Sequence, residues 1–499
     1  MSSVVGTNVS ALFSQRTMTQ SKAELETAME RLSSGKRINS AADDAAGSAI
    51  SDRMTSQIKG LNQAVRNTND TISLVKVAEG SMKESSNILQ RMRELSVQSS
   101  SDTNTSADRQ YLQKEVALLQ QELTRISGTT QFNNRELMDG SFTSQTFLIG
   151  SNSGQHMKMT IGDFSSDKIG SHDLDTNGTG RTATQTANLA ASLAASTVLA
   201  TEDLTIAGHL GTTTVDVLVG GTARDIAALT NGVTNDTGVS AVAVTKAKLD
   251  TVGAGTFTMN LYGKNTDAVN VSVNITNTND LTNLADIINQ RAGTTGITAE
   301  LAANKESVIV TQFEGYDIVI EDVFENGGSG NTMEMTGVDQ DSAESGAAVV
   351  LGAAVGTDTG RVGGSVSFSS AKDYTVKSAA AGGVMGNAIT NGSSLSNVSD
   401  IDITTQTGAN GAIDVLDGAL TFVQDERANL GSIQNRLETT ATNLTNVSSN
   451  IESARSAVED ADFASESGVL AKNKILQQAG TAMLAQANQS AQNVMSLLR

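Results

Sequence analysis

The stretch Leu416-Asp-Gly-Ala-Leu-Thr-Phe-Val423-Gln-Asp-Glu-Arg-Ala-Asn-Leu430-Gly-Ser-Ile-Gln-Asn-Arg-Leu437-Glu-Thr-Thr-Ala-Thr-Asn-Leu444-Thr-Asn-Val-Ser-Ser-Asn-Ile451-Glu-Ser-Ala-Arg-Ser-Ala-Val458 carries an apolar residue at every seventh position. Leu416, Val423, Leu430, Leu437, Leu444, Ile451 and Val458 form one unbroken register. A second register holds Ile413, Leu420, Val447 and Ala454, and Arg427 and Gln434 interrupt it. A stripe repeating every 3.5 residues winds a helix against a partner in a left-handed supercoil. The matching stripe lies near the other end of the sequence. Leu61, Val75, Met82 and Leu89 share a seven-residue register with Thr68 in the gap, and Ile58, Val65 and Ile72 supply the second. The two ends predict one helical bundle, with the middle of the chain as an insertion.

Working outward, residues 1–33 place Val4, Val5, Val9, Leu12, Met18, Leu25, Met29 and Leu32 at helical spacings. The run Arg31-Leu-Ser-Ser-Gly-Lys-Arg-Ile-Asn39 breaks that period. Ser40 with Asp43 resembles a capping box with Asp in place of Glu, opening a helix that runs to about Ser99. At about 1.5 Å per residue that helix is roughly 85 Å long. A polar break at 99–106 precedes a second helix over Leu112–Ile126. From about Gln131 to residue 405 the texture changes to Gly, Thr, Asn, Ala and Val. Alternating runs at Val215–Val219, Phe257–Leu261, Val269–Ile275, Val308–Val310 and Asp317–Glu321 predict strands with Gly/Asn turns.

A weak internal repeat pairs Ala223-Arg-Asp-Ile-Ala and Thr237–Ala243 with Leu284-Ala-Asp-Ile-Ile and Thr295–Leu301. Two small α+β modules, about 203–249 and 256–321, are expected. The fold class is therefore α+β and multi-domain, a long helical coiled-coil bundle from both termini with a mainly β central insertion. Its expected divisions are 1–40 (inner helix), 41–140 (bundle), 141–405 (variable, β-rich), 406–461 (bundle) and 462–499 (inner helix).

Composition narrows the function. The net charge of −20 argues against non-specific nucleic-acid binding. Only 3% of the 499 residues are aromatic, so cores must be built from Leu, Ile, Val, Ala and Met. The chain has no Pro where average usage would give roughly 25, and no Cys. Lacking proline it has no slow cis/trans step on refolding, and lacking cysteine it cannot misbridge outside the cell. Both absences suit a protein that refolds quickly after being moved. Residues 1–16 lack the basic and apolar regions of a signal peptide, and no stretch approaches the roughly 20 apolar residues of a membrane span.

Several motifs now converge. Leu32-Ser-Ser-Gly-Lys-Arg-Ile-Asn-Ser-Ala-Ala-Asp-Asp-Ala-Ala-Gly47, Leu89-Gln-Arg-Met-Arg-Glu-Leu-Ser-Val-Gln-Ser99 and Thr130-Gln-Phe-Asn133 lie at one end. Ile475-Leu-Gln-Gln-Ala-Gly-Thr-Ala-Met-Leu-Ala-Gln-Ala-Asn488 and Ser496-Leu-Leu-Arg499 lie at the other. With these ends in this order the chain resembles bacterial flagellin over about 1–140 and 405–499. One departure is Ser490, where many relatives carry Pro. The resemblance implies a filament subunit with an inner terminal-helix domain, a coiled-coil bundle outside it and surface β domains, assembled as a helical homopolymer for swimming motility. It implies passage through the flagellar type III export apparatus, an export chaperone at the C-terminal segment, contacts with hook-associated and cap proteins, and an extracellular location. It also implies recognition by the host flagellin-sensing toll-like receptor at positions matching Gln90, Arg91, Leu95 and Glu115. The i, i+4 spacing places Arg91 and Leu95 on one helical face. The alternatives are a hook–filament junction protein of the same family, or a secreted adhesin whose insert is a binding module.

Assembly is expected to use the Leu416–Val458 stripe and a terminal polymerisation helix carrying Leu476, Met483, Val494, Leu497 and Leu498. An enzyme is not expected. His156, His172 and His209 are the only histidines and none sits in H-E-x-x-H; no P-loop or nucleophile-elbow motif occurs. Without Cys there is no thiolate zinc site, and no metal or cofactor is expected. Asp173-Leu-Asp-Thr-Asn-Gly178 matches half a calcium loop, but Thr184 stands where the bidentate Glu is needed, so a turn is expected. Asp43/Asp44 and Glu459/Asp460 read as caps or solvated faces. The Ser/Thr-rich runs Thr182–Thr197 and Ser393–Ser399 read as solvated turns, with O-glycosylation as the alternative.

Overall fold

The computed structural model describes residues 7–176, 184–186, 201–302, 304–325, 332–339, 344–352, 359–379, 384–385 and 389–497. The chain forms two compact units. One comprises Met1–Lys76, Thr143–Thr160 and Leu430–Arg499, and the other Val77–Phe142 and Ile161–Asn429. Long helices come from the ends: α1 (Val9–Ser34), α2 (Ala45–Ser100) and α3 (Ser106–Thr129), then α6 (Gln406–Glu459) and α7 (Phe463–Leu497). Between them lie β-strands and shorter helices, among them α4 (Ala223–Gly232) and α5 (Thr282–Thr295). This is the α+β architecture expected, with both termini helical and the insertion mainly β.

Helices α2 and α6 run antiparallel. In the first unit Ser51 meets Glu459, Thr55 meets Arg455 and Asn62 meets Ser448. In the second, Glu79 faces Arg427 and Arg93 binds Asp417. Each step along α2 is matched by a nearly equal step back along α6. Leu61, Thr68, Val75, Met82 and Leu89 are buried on α2, as are Leu416, Val423, Leu430 and Leu437 on α6. Thr68 tolerates its apolar position because its hydroxyl donates to the Ala64 carbonyl one turn back, at 2.8 Å.

Three expectations need correction. The α6 stripe is not uniformly core: Leu444, Ile451 and Val458 are only half-buried, and Val447 of the second register is exposed. There the contacts with α2 turn polar, through Ser448 and Arg455. The cap of α2 is Asp44, whose carboxylate accepts from the Gly47 amide at 2.8 Å, rather than Ser40. Asp43 instead closes the preceding turn, accepting from the amides of Asn39 and Ser40 and the Ser40 hydroxyl. Finally, the Asp173–Asp175 half-motif is not a turn. It lies in strand Gly170–Asp175, paired with Ser365–Ser370 and Ser394–Asn397. The remainder of that motif falls outside the described residues.

In the insertion, one eight-stranded antiparallel sheet runs in the order Ile297–Leu301, Val308–Gln312, Ser240–Asp250, Ser365–Ser370, Gly170–Asp175 and Ser394–Asn397, with Met333–Val338 and Glu344–Leu351 branching from Ser240–Asp250. A five-stranded sheet begins at Val269–Ile275, next to Gly255–Tyr262 and then Ile318–Glu325. An apolar cluster with Leu249, Phe257, Met259, Val271, Leu284 and Ile288 among its members draws on both sheets and α5.

Two segments carry the same local devices. Each is a hairpin, a helix and a strand: Glu202–Ala207, Thr212–Val217, α4 and Ser240–Asp250; then Gly255–Tyr262, Val269–Ile275, α5 and Ile297–Leu301. Asn231 clamps Ala241 by two side-chain-to-backbone bonds of 2.8 Å, and Asn289 clamps Ala299 by two of the same length. Gly238 and Gly296 both sit at positive φ directly after their helical turns. These landmarks align Ile226 with Leu284, one helical turn away from the sequence alignment of Ala223 with Leu284. Both Ile226 and Leu284 are buried, which is what fixes the phase.

Candidate assembly surfaces

Helices α1 and α7 pack antiparallel. Asn8 caps α1, its side-chain oxygen accepting from the Ala11 amide at 3.0 Å, and its amide nitrogen donates to the Ala487 carbonyl at 3.0 Å. Further along, Met18 lies beside Gly480, and Arg31 pairs with Glu466 at 3.7 Å. This interface is thin. Only Ser21 and Ala28 of α1, and Asn473 among the described side chains of α7, are buried. Asn473 has no hydrogen-bond partner for either amide atom. The large apolar side chains point outward instead: Phe13 is 72% exposed, Phe463 65%, Ile475 64% and Met483 62%, with Val9, Leu12, Met29, Val469 and Leu476 also exposed. Leu476 and Met483 of the expected polymerisation helix are thus on the outside. Leu498, and the side chains of Val494 and Leu497, lie outside the described residues.

The breaks between helices are joined to each other. Gly35 ends α1 in the left-handed conformation, at φ 73°, and its carbonyl accepts from the Ala461 amide at 3.0 Å. The Arg37 amide donates to the Glu459 carbonyl at 2.7 Å. The Glu459 carboxylate takes Lys36 on one oxygen and the Ser51 hydroxyl on the other, each at 2.5 Å. Lys36 and then Ser51 hold that carboxyl below the ordinary carboxylate range. Gly47 is wedged here: a β-carbon would come within 2.6 Å of Ile38 Cδ1 and 2.4 Å of Asp44 Oδ2. The Leu32–Gly47 motif is therefore a folded turn locked onto the α6–α7 break. The sequence marks the break but not its partner; the one signal it carries is a basic run (Lys36, Arg37) matched by an acidic one (Glu459, Asp460, Asp462).

On the other face of α2, Arg91 donates from Nε to Glu115 at 3.0 Å and from Nη1 to Glu94 at 3.0 Å. Those contacts hold its guanidinium more firmly protonated, Glu94 first and then Glu115. Gln90 is exposed beside it. Leu95 is not part of this surface: it is 1% exposed, and the shared face inferred from i, i+4 spacing divides, with Arg91 outside and Leu95 inside. Four residues span about 40° on a helix, enough to carry one side chain across the edge of the core. The Ser393, Ser394 and Ser399 hydroxyls are committed to Asp373, the Asp173 carbonyl and Asn397 respectively. Most of Thr182–Thr197 lies outside the described residues.

Among the described residues no helix is long and apolar enough to cross a membrane. Residues 5–143 match the family model for the bacterial flagellin N-terminal helical region, and residues 413–498 that for the C-terminal helical region. The B-type flagellin of Pseudomonas aeruginosa is 39% identical over 502 aligned positions, covering 100% of both chains. Flagellin B of Vibrio anguillarum is 32% identical and flagellin A of Vibrio cholerae 34% identical, each across 99% of both chains.

Proposed function

The chain belongs to the bacterial flagellin family, a structural family and not an enzyme family, and on that premise we propose that it polymerises through α1 and α7 into an extracellular filament for swimming motility. The observation that carries this reading is the outward apolar surface of the terminal pair. Each such side chain withdrawn from water is worth roughly 1.5–3 kcal/mol, so five on α7 supply on the order of 10 kcal/mol before the cost of ordering. A heterologous contact of this kind, repeated without closing, builds a helical polymer. The same exposed surface would need cover before assembly, which supports a chaperone on the α7 segment during export. It also supports hook-associated and cap proteins as partners that present like surfaces. The test is seeded polymerisation followed by electron microscopy. Full-length chain should extend short filament seeds, and chain lacking residues 460–499 should not; extension by the truncated chain would overturn the reading.

For the toll-like receptor, Gln90, Arg91 and Glu115 offer an exposed, preorganised hydrogen-bonding patch, with Leu95 acting only by holding the helix in place. Arg91→Ala should lower receptor signalling by monomer at least tenfold while leaving the melting temperature nearly unchanged. Leu95→Ala should lower the melting temperature instead. Undiminished signalling by Arg91→Ala would remove the patch from the receptor site.

A further inference from the structure

The strand Val269-Asn-Val-Ser-Val-Asn-Ile275 is the outermost strand of the five-stranded sheet. It pairs with Gly255–Tyr262 along seven consecutive residues without a bulge, and among the described residues no strand pairs with its other edge. Exposed edges are ordinarily blunted by charge, proline, bulges or shortness. The other edge strands here follow that rule. Thr212–Val217, its counterpart in the first of the two similar segments, carries Asp216; Ile297–Leu301 carries Glu300; Glu344–Leu351 begins with a carboxylate; Ser394–Asn397 has four residues. Val269–Ile275 carries no charge at all.

Apart from its ends, Val269 and Ile275, the strand also reads the same in both directions about Ser272. Antiparallel pairing with a second copy, twofold through Ser272, sets Asn270 against Asn274, Val271 against Val273 and Val269 against Ile275. Beyond the strand the symmetry lapses at Ala268/Thr276 and Asp267/Asn277, so it is a property of the strand itself. The faces match as well as the residues. Asn270, Ser272 and Asn274 are exposed on one side while Val271, Val273 and Ile275 are buried on the other, so amides would meet amides and valines would meet valines.

We propose that this edge is a self-association site, at which a second copy of this chain adds Val269–Ile275 to Val269–Ile275 across a twofold axis. One seven-residue strand pair buries far less than the roughly 1,200 Å² of a stable interface, so isolated chains associate weakly. Copies arrayed on a polymer engage many such pairs at once. Neighbours within a polymer built by one helical operation are not related by twofolds, so the contact joins subunits of different filaments and ties filaments side by side. That last step rests on the polymerisation reading; the strand pairing itself does not.

The absence of cysteine gives a direct test. In full-length Ser272→Cys the new thiol is the only one, and it faces its symmetry mate across an antiparallel pair at a separation suited to a disulfide. Concentrated unpolymerised chain should give a disulfide-linked dimer under mild oxidation, at least fivefold more than Thr214→Cys on the charged edge. Equal yields would overturn the proposal. On filaments, Ser272→Lys and Ser272→Glu should each abolish bundles pelleting at low speed, while a mixture of the two restores them. Bundling by either alone, or none in the mixture, would also overturn it. Failure of all chains to form filaments would strike the polymerisation reading and leave the crosslinking result standing.

Discussion

The α2–α6 packing in the second unit and the α1–α7 pair in the first are built from similar sequence, helical stripes of Leu, Ile, Val and Met, and they end in opposite states. Met82, Leu89, Met92, Leu95, Leu416 and Val423 are all fully buried or nearly so. Phe13, Ile475 and Met483 are all more than half exposed. Periodicity sets the face of a helix that must be covered; it does not say whether the cover comes from the same chain. In the bundle the cover is a third helix, α3, with Val116 and Leu123 turned inward. In the terminal pair the two helices hide only a narrow seam of each other, at Ser21, Ala28 and Asn473 among the described side chains.

The largest effect follows directly. Leu416→Ala should destabilise the monomer by about 2–5 kcal/mol, read by urea or thermal denaturation, because a fully buried leucine leaves a cavity. Ile475→Ala should change monomer stability by no more than about 0.5 kcal/mol. Its cost should appear in assembly, as a rise of roughly tenfold or more in the critical concentration for polymerisation, since about 1.4 kcal/mol of lost burial is a factor of ten. If Ile475→Ala melts the monomer as Leu416→Ala does, the two regions are not different in kind.

A smaller effect tests why the terminal pair is thin. Asn473 is buried with both amide atoms unsatisfied, which costs folding free energy in a seam that has little to spare. Asn473→Leu should tighten α1 against α7 by about 1 kcal/mol or more. Amide hydrogen exchange in both helices should slow accordingly, with exchange in α2 and α3 unaltered. Unchanged exchange in α1 and α7 would mean that the seam is limited by its area and not by its asparagine.

Much of this was legible in the residues. The strict register from Leu416 to Leu437, the N-terminal stripe through Leu89 and the alternating run Val269–Ile275 each correspond to the element that formed. What was not legible depended on contacts between distant segments. Leu95 looks like a surface neighbour of Arg91, yet it is 1% exposed and belongs to the core. Leu444, Ile451 and Val458 continue a perfect heptad, yet the facing helix offers polar partners at Asn62, Thr55 and Ser51, so the stripe leaves the core. The repeat alignment slipped by one helical turn because Asp-Ile occurs at Asp225–Ile226 and Asp286–Ile287, while burial follows Leu284. Local pattern fixes element type; the partner's surface fixes depth.

The smallest effect concerns the charged joint where the apolar stripe gives out. Glu459 binds Lys36 and Ser51, and these contacts depress its carboxyl below the value of an unfolded glutamate, about 4.3. A depressed carboxyl contributes stability that is complete above the unfolded value and is lost as pH falls through the folded one. Glu459→Gln should therefore cost about 1 kcal/mol at pH 7, discounted from a buried pair because Lys36 is half exposed. The gap between variant and parent should close as the pH is lowered from about 4.3 past the folded value, as measured by urea denaturation across that range. Lys36→Met should show the same convergence. A gap that persists under acid would assign Glu459 a packing role, and the joint between the two helix breaks would then be held by its backbone bonds, Arg37 to Glu459 and Ala461 to Gly35, with the charges adding nothing.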